Sequence, residues 1–203
     1  MSEGFILDNL SVRSRSKRLK AASGDTHDRL DKAIMGHEPF SSRERYGLFI
    51  KAQHAFHRDI DVLYDDAALD MLLPDLQGRR RLPQIEQDLV DLGMGPLAFD
   101  APQVFTPGAV FDLPTALGWF YVAEGSNMGA AFLLKWAKEK LGLSEEFGAR
   151  HLAGAPEGRG LHWRTFTAAL DEIALSEAEE ARVVAGAQAA FRRVHGLVDA
   201  VFG

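Results

Sequence analysis

The stretch Leu117–Lys140, LGWFYVAEGSNMGAAFLLKWAKEK, has the length and composition of a long helix, yet it carries Gly118, Gly125 and Gly129. Each costs about 1 kcal/mol relative to alanine in a helix interior, so something must offset the cost. At about 100° per residue, the sequence separations bring all three glycines to one face, beside Ser126 and Ala130. That face is nearly bare backbone. It permits close helix–helix contact, or close approach of a flat ligand with a few waters, and it leaves the helix free to kink. The spacing alone leaves both uses open, because stripes of small residues are common packing devices.

The rest of the chain predicts helices and no strand of useful length. Val12, Leu19, Leu30 and Ile34 keep a helical beat in which His27 falls, and Ser23-Gly24-Asp25-Thr26 marks a place where that helix could restart. Ser41-x-x-Glu44 predicts a capping box at the head of a helix whose core face reads Phe49, Ala52, Phe56, Ile60 and Leu63. His54 and His57 are expected on its polar face. A short helix over 65–73 should stop at Pro74, another should start at Pro83 and end at Gly93, and residues 93–112 form the longest loop. Asp112 and Pro114 should open the glycine-bearing helix and Gly142 should close it. A short helix is expected from Ser144, one around His162–Ile173, and a last one from the capping box Ser176-x-x-Glu179 to about Val201. The expected architecture is all-α, with a loose tail over 1–9 and one domain of roughly eight helices over 10–203.

Composition narrows the chemistry. With 203 residues, 46% of them hydrophobic, one substantial core is affordable. There is no cysteine, and therefore no disulfide, thiolate ligand or cysteine nucleophile. No apolar run reaches the roughly 20 residues of a membrane span, so a cytoplasmic location and no membrane are expected. The net charge of −6 argues against nucleic-acid binding. Arg13, Arg15, Lys17, Arg18 and Lys20 form a basic stripe, and Arg79–Arg81 a second cluster, both read as solvated faces or docks for an acidic partner.

Of seven histidines, only His27 falls on the apolar stripe of a well-defined amphipathic segment. A lone histidine there is more often a hydrogen-bonded core residue than a ligand. His54-x-x-His57 has a metal-like spacing but a solvated setting, and paired Glu-x-x-His motifs of a di-iron centre are absent. Lys20 lies two turns before His27, about 10 Å along a continuous helix. That distance fits a haem, with imidazole on the iron and an ammonium at a propionate. A solvated surface lysine is the simpler reading of Lys20 taken alone.

THDRL around His27, LGWFYVAEGSNMGAAFLLK from Leu117 and FGARHLAG from Phe147 together resemble the bacterial biliverdin-producing haem oxygenases, over most of the chain from about Leu10. The resemblance implies a helical fold with haem between a proximal helix and a kinked distal helix. His27 would be the iron ligand, Gly125 and Gly129 the distal glycines beside bound oxygen, and Lys20 and Tyr121 the propionate partners. Ser126 stands where mammalian members carry an aspartate that organises distal waters, so those waters need another anchor. The implied reaction uses O2 and external electrons to open haem, mainly at the α-meso carbon, to biliverdin, CO and Fe2+. Nothing in the chain binds flavin or nicotinamide, so a separate reductase or ferredoxin is expected to dock, with the basic N-terminal stripe as its surface, and a monomer is expected. A haem carrier or sensor without turnover, and a purely structural helical module, are the competing readings.

Overall fold

The computed structural model describes residues 14–94 and 102–203. The tail expected over 1–9, Val12 of the first beat and Arg13 of the basic stripe lie outside them, as does the middle of the 93–112 loop. Seven α-helices are described: α1 (Arg15–Gly36), α2 (Arg43–Ile60), α3 (Ala67–Leu72), α4 (Leu82–Asp91), α5 (Leu113–Leu141), α6 (Arg159–Glu172) and α7 (Glu177–Phe202). Short 3₁₀ turns over Asp61–Asp65, Gln77–Arg79 and Arg150–Leu152 connect them. Among the described residues there is no strand, only isolated bridges of Ser144 with Phe147 and Gly148.

Most helix ends fall where the capping chemistry places them. Asp112 accepts a hydrogen bond from the Thr115 amide at the head of α5, and Gly142 closes that helix with φ 65°. Ser176 and Glu179 complete the reciprocal box that opens α7. Three expectations shift. α1 runs unbroken through Ser23–Thr26, so Asp25 and Thr26 cap nothing. α2 is capped by Ser42, which accepts from the Arg45 amide, while the Ser41 hydroxyl donates to the Glu38 carbonyl and serves the preceding turn. Ser144 opens no helix: its hydroxyl accepts from the Glu146 amide in a tight turn that folds Phe147 back on it.

α5 and α7 form the spine. Asp112 pairs with Arg182, and Gly118 lies against Val183 and Ala187, so the two helices advance in the same direction. Their backbones touch because each brings a glycine to the crossing. A Cβ on Gly118 would sit 2.5 Å from the Ala187 nitrogen, and one on Gly186 3.0 Å from the Thr115 Cα. α2 fills the interior beside this pair, burying Phe49, Ala52, Phe56 and Ile60, with Leu63 just beyond. α1 lies mainly on α7, with lesser contact to α6 and little to α5.

The described arginines of both basic clusters are drawn into the fold. Arg15 is 4% exposed, its guanidinium bonded to Glu180 and to the Leu170 and Ile173 carbonyls, and Arg18 pairs with Glu180 as well. Arg79 and Arg81 are buried, and Arg80 is tied to Asp61 and Asp65. The solvated faces expected from the charge pattern are thus reduced by folding, because loop and helix-end acceptors compete for the arginine side chains. Lys17 and Lys20 stay exposed.

Candidate functional site

The glycines of α5 divide by use. Gly118 is committed to the α7 crossing, whereas a Cβ at Gly129 would meet nothing within 4 Å and one at Gly125 would make only ordinary contact, 3.7 Å, with the Trp163 ring. The packing use is thus seen at Gly118, while Gly125 and Gly129 leave the other end of the stripe open. Beyond Gly125 the same helix face continues with Met128, Gly129 and Phe132, and the two large side chains are 42% and 68% exposed. An apolar, backbone-lined strip thus faces outward from a helix whose other sides are packed. Ser126 is exposed, and its hydroxyl donates to the Ala123 carbonyl at 2.6 Å, which leaves its lone pairs free to accept.

α1 supplies the candidate ligand. Leu19, Ser23 and Leu30 face the interior, and His27 sits at the margin of that stripe, with its side chain 55% exposed. Its ring meets Phe191 of α7 edge-on, with centroids 6.0 Å apart, and Nδ1 lies 3.4 Å from Asp31. The apolar beat placed His27 in the core; the helix turns it to the rim instead, where an imidazole is accessible to a ligand. Because α1 is continuous, Lys20 and His27 hold the two-turn separation that the sequence required. Tyr121, on α5, is buried against Trp163 at 5.5 Å between centroids. Burial first, and then the Asp171 carboxylate, push its hydroxyl pKa up, so it stays a neutral donor. Asp171 in turn accepts from the Ser16 amide and hydroxyl, one turn before Lys20. An accessible imidazole, an apolar strip, an ammonium and a phenol suit a flat, apolar, doubly anionic iron macrocycle.

A second set of residues went unread in the sequence. His57, expected on a solvated face, is 5% exposed. α2 is enclosed at this level by α4, α5 and α7, and Tyr46, Ile50 and His57 share one stripe; that recurrence was the overlooked signal. Burial, followed by the charges of His151, Arg81 and His54, pushes the His57 pKa down to about 3, so the ring is neutral. Its Nδ1 has no hydrogen-bond partner, and neither do Nε2 of His151, Nε of Arg81 or the Tyr64 hydroxyl. His151 is oriented by Asp88, whose Oδ2 lies 2.7 Å from Nδ1. Unpaired polar atoms grouped in an interior call for water. This polar interior reaches α5 where Arg159 donates to the Asn127 carbonyl at 2.8 Å, so it is a candidate anchor for waters that Ser126 cannot hold alone. Among the described residues no group of three or more His, Cys, Asp or Glu side chains is placed to hold a metal ion, and His57 of the His54-x-x-His57 pair is buried.

The described residues form one all-helical domain with an exposed histidine on α1 and an open glycine face on α5. The profile of the family described as Heme oxygenase matches residues 106–200. The chain is 42% identical over 188 residues to Heme oxygenase PigA of Pseudomonas aeruginosa, covering 93% of each, and 28% identical over 159 residues to a heme oxygenase of Xanthomonas campestris, covering 77% of this chain and 90% of that one. Its fold matches the NO- and CO-bound heme oxygenase of Neisseria meningitidis with a TM-score of 0.87 at 42% identity, covering 94% of this chain and 92% of that one. The chain belongs to the haem oxygenase family and is an enzyme of that family. No helix among the described residues is long and apolar enough to cross a membrane.

Proposed function

We propose that this enzyme opens haem at a meso carbon, mainly α, to biliverdin, CO and Fe2+, using O2 and electrons from a separate reductase or ferredoxin. The observation that carries the reading is the pairing, in one domain, of an accessible imidazole on α1 with a face of α5 where a Cβ at Gly129 would meet nothing. When bound, the haem supplies both the iron that activates dioxygen and the ring that is opened. His27 holds the iron from α1. Gly125 and Gly129 would leave room beside the bound haem for O2 and a few waters, since neither brings a side chain to that face of α5. Ser126 offers lone pairs to those waters, and the buried set around His57, His151 and Arg81 holds the water behind them. Lys20 and Tyr121 bind the propionates by charge and by hydroxyl, which fixes the in-plane seating and hence the bridge that is cut. Of the basic stripe, Lys17 and Lys20 remain exposed to steer an acidic electron donor.

Anaerobic haem loading, followed by reductant and O2, tests the reading. Loss of the Soret band with appearance of bilin is expected, and His27→Ala should lose both the imidazole-ligated spectrum and turnover. Haem retained unchanged under O2 would make the protein a carrier. A His27→Ala variant with the parental spectrum and full bilin yield would move the ligand elsewhere.

A further inference from the structure

Behind the open face of α5 lies a buried ionic group that the haem reading does not use. Glu124 immediately precedes Gly125 and is 2% exposed. Its Oε2 accepts from Arg79 Nη1 at 2.7 Å and lies 3.4 Å from His162 Nε2. Arg79 Nη1 is also 3.0 Å from that same His162 nitrogen, while His162 Nδ1 lies 2.7 Å from Glu157 on the cavity side. Arg79 is itself held, its Nε donating to the Pro74 carbonyl at 2.8 Å.

These distances admit two bonding patterns for one imidazole. With Nδ1–H donating to Glu157, a neutral His162 accepts at Nε2 from Arg79. A protonated His162 donates at Nε2 to Glu124 instead and keeps its bond to Glu157. The charges distinguish the two states. Arg79 and protonated His162 balance Glu124 and Glu157, whereas a neutral His162 leaves one net negative charge on a largely buried group. Glu124 from α5, Arg79 from the 3₁₀ turn and Glu157 from the loop before α6 are the charged groups in direct contact. Asp75 and Arg81 line the same cavity of about 380 Å³. The bond to Glu124 raises the His162 pKa above its ordinary value, so the exchange of partners falls above the ordinary histidine midpoint.

We propose that His162 is a positioning residue whose Nε2 changes partner between Arg79 and Glu124, and that this exchange sets how firmly the glycine-bearing segment of α5 is held. The segment needs such a strut. Gly125 and Gly129 have no side chains to pack, so between the buried Ala123 and Ala130 the polar contacts of Glu124 and of the Asn127 carbonyl add to its attachment. Protonated His162 gives Glu124 two charge-assisted bonds and neutral His162 leaves one, so the grip is complete at low pH and weakens by one bond as pH rises through the His162 midpoint. Calling the held segment the distal wall of the haem site rests on the function proposed above; the strut itself does not.

The test uses the full haem-free chain. Imidazole 15N resonances of His162 are followed against pH, together with amide-exchange protection factors of Gly125, Ser126, Gly129 and, as reference, Gly118. His162 should titrate above an ordinary histidine, and protection at Gly125–Gly129 should fall roughly tenfold across the same midpoint, the worth of one charge-assisted bond. Gly118, clamped by α7, should not follow. In Glu124→Gln the midpoint should drop and the step in protection should vanish. Protection that ignores the His162 midpoint, or a fall equal at Gly118, overturns the proposal, and neither result needs a variant to fold. Haem titration of the same sample separates the two claims: a step in protection without haem binding would keep the strut and discard the haem site.

Discussion

Replacing Gly118 and Gly129 by alanine, one at a time, should move stability in opposite directions. Both are interior positions of α5, and the intrinsic gain from a glycine-to-alanine change is the same, about 1 kcal/mol. At Gly129 nothing opposes that gain, since a Cβ there meets no atom within 4 Å. For a domain of this size, about 1 kcal/mol corresponds to roughly 2–4 °C, and Gly129→Ala should raise the Tm of the haem-free protein by that amount. At Gly118 the new methyl would stand 2.5 Å from the Ala187 nitrogen, and the obstacles are backbone atoms that cannot rotate away. α7 must retreat along the crossing it shares with Gly186, which loosens the buried Leu117, Phe120, Val183 and Ala187. Overpacking of this kind costs about 1–3 kcal/mol and occasionally more. With backbone as the obstacle the upper end applies, so after the helix gain a net loss near 2 kcal/mol, or about 4–8 °C, is expected. Differential scanning calorimetry of the three haem-free proteins decides it. Shifts of the same sign would refute the division of the glycine stripe into a packed end and an open end. Turnover should reverse the order: Gly129→Leu should block oxygen chemistry with little harm to folding, while Gly118→Ala should keep its turnover per folded molecule.

Lys20→Asn combined with Tyr121→Phe removes an ammonium and a hydroxyl from the propionates. Charge-assisted bonds of about 1.5–3 kcal/mol bias seating by about tenfold or more, so isomers other than α should appear on chromatography; a mainly β or δ product from the parent would overturn the assignment. His57 adds a pH dependence of its own. With its pKa pushed down to about 3 in the folded protein and an ordinary value of about 6.5 when unfolded, the unfolded chain binds more protons between those limits, so stability falls as pH drops through that window. From pH 7 to pH 5 this group should cost about 2 kcal/mol, and urea unfolding of His57→Gln should show a correspondingly flatter profile. An unchanged pH slope would mean that the folded protein takes up a proton at His57 as readily as the unfolded chain does.

What could be read in the sequence was set by how local its cause is. The caps at Asp112, Gly142 and Ser176 depend on residues a few positions apart, and they stand where the residue types put them. The exchange of Ser41 for Ser42 at α2 is a one-residue slip, because both hydroxyls have a turn to serve. The continuity of α1 through Gly24 was not legible, since tertiary support from α7 overrides a local breaker. The arginines were misread for a related reason: a cationic cluster looks solvated until Glu180, Asp61 and Glu124 arrive from distant parts of the chain. For the site, spacing alone brought Gly125, Ser126, Gly129 and Tyr121 together on one helix and set His27 two turns from Lys20. Which glycine packs and which stays open could not be read, because that depends on where α7 crosses. His57 and His151 were missed because their burial is created by three helices closing around α2.

α1 is fastened to α7 at both ends and hardly elsewhere by polar contact. Arg15 and Arg18 grip Glu180 near the start of α7. At the other end, the His37 ring stacks on Phe202 at 4.6 Å, with the Arg45 guanidinium over the same ring at 5.6 Å. Mechanically this is a beam built in at both supports. Such a beam does not swing open on a hinge; it bows, and the deflection is greatest at mid-span. Mid-span here is Gly24, where a Cβ would touch nothing, and His27 one turn beyond. On the function proposed above, admitting a flat guest beneath α1 would draw on the compliance of these middle turns while the ends keep the register of Lys20 and His27. Cutting away Phe202 would turn the beam into a cantilever, with the imidazole riding on its loose arm.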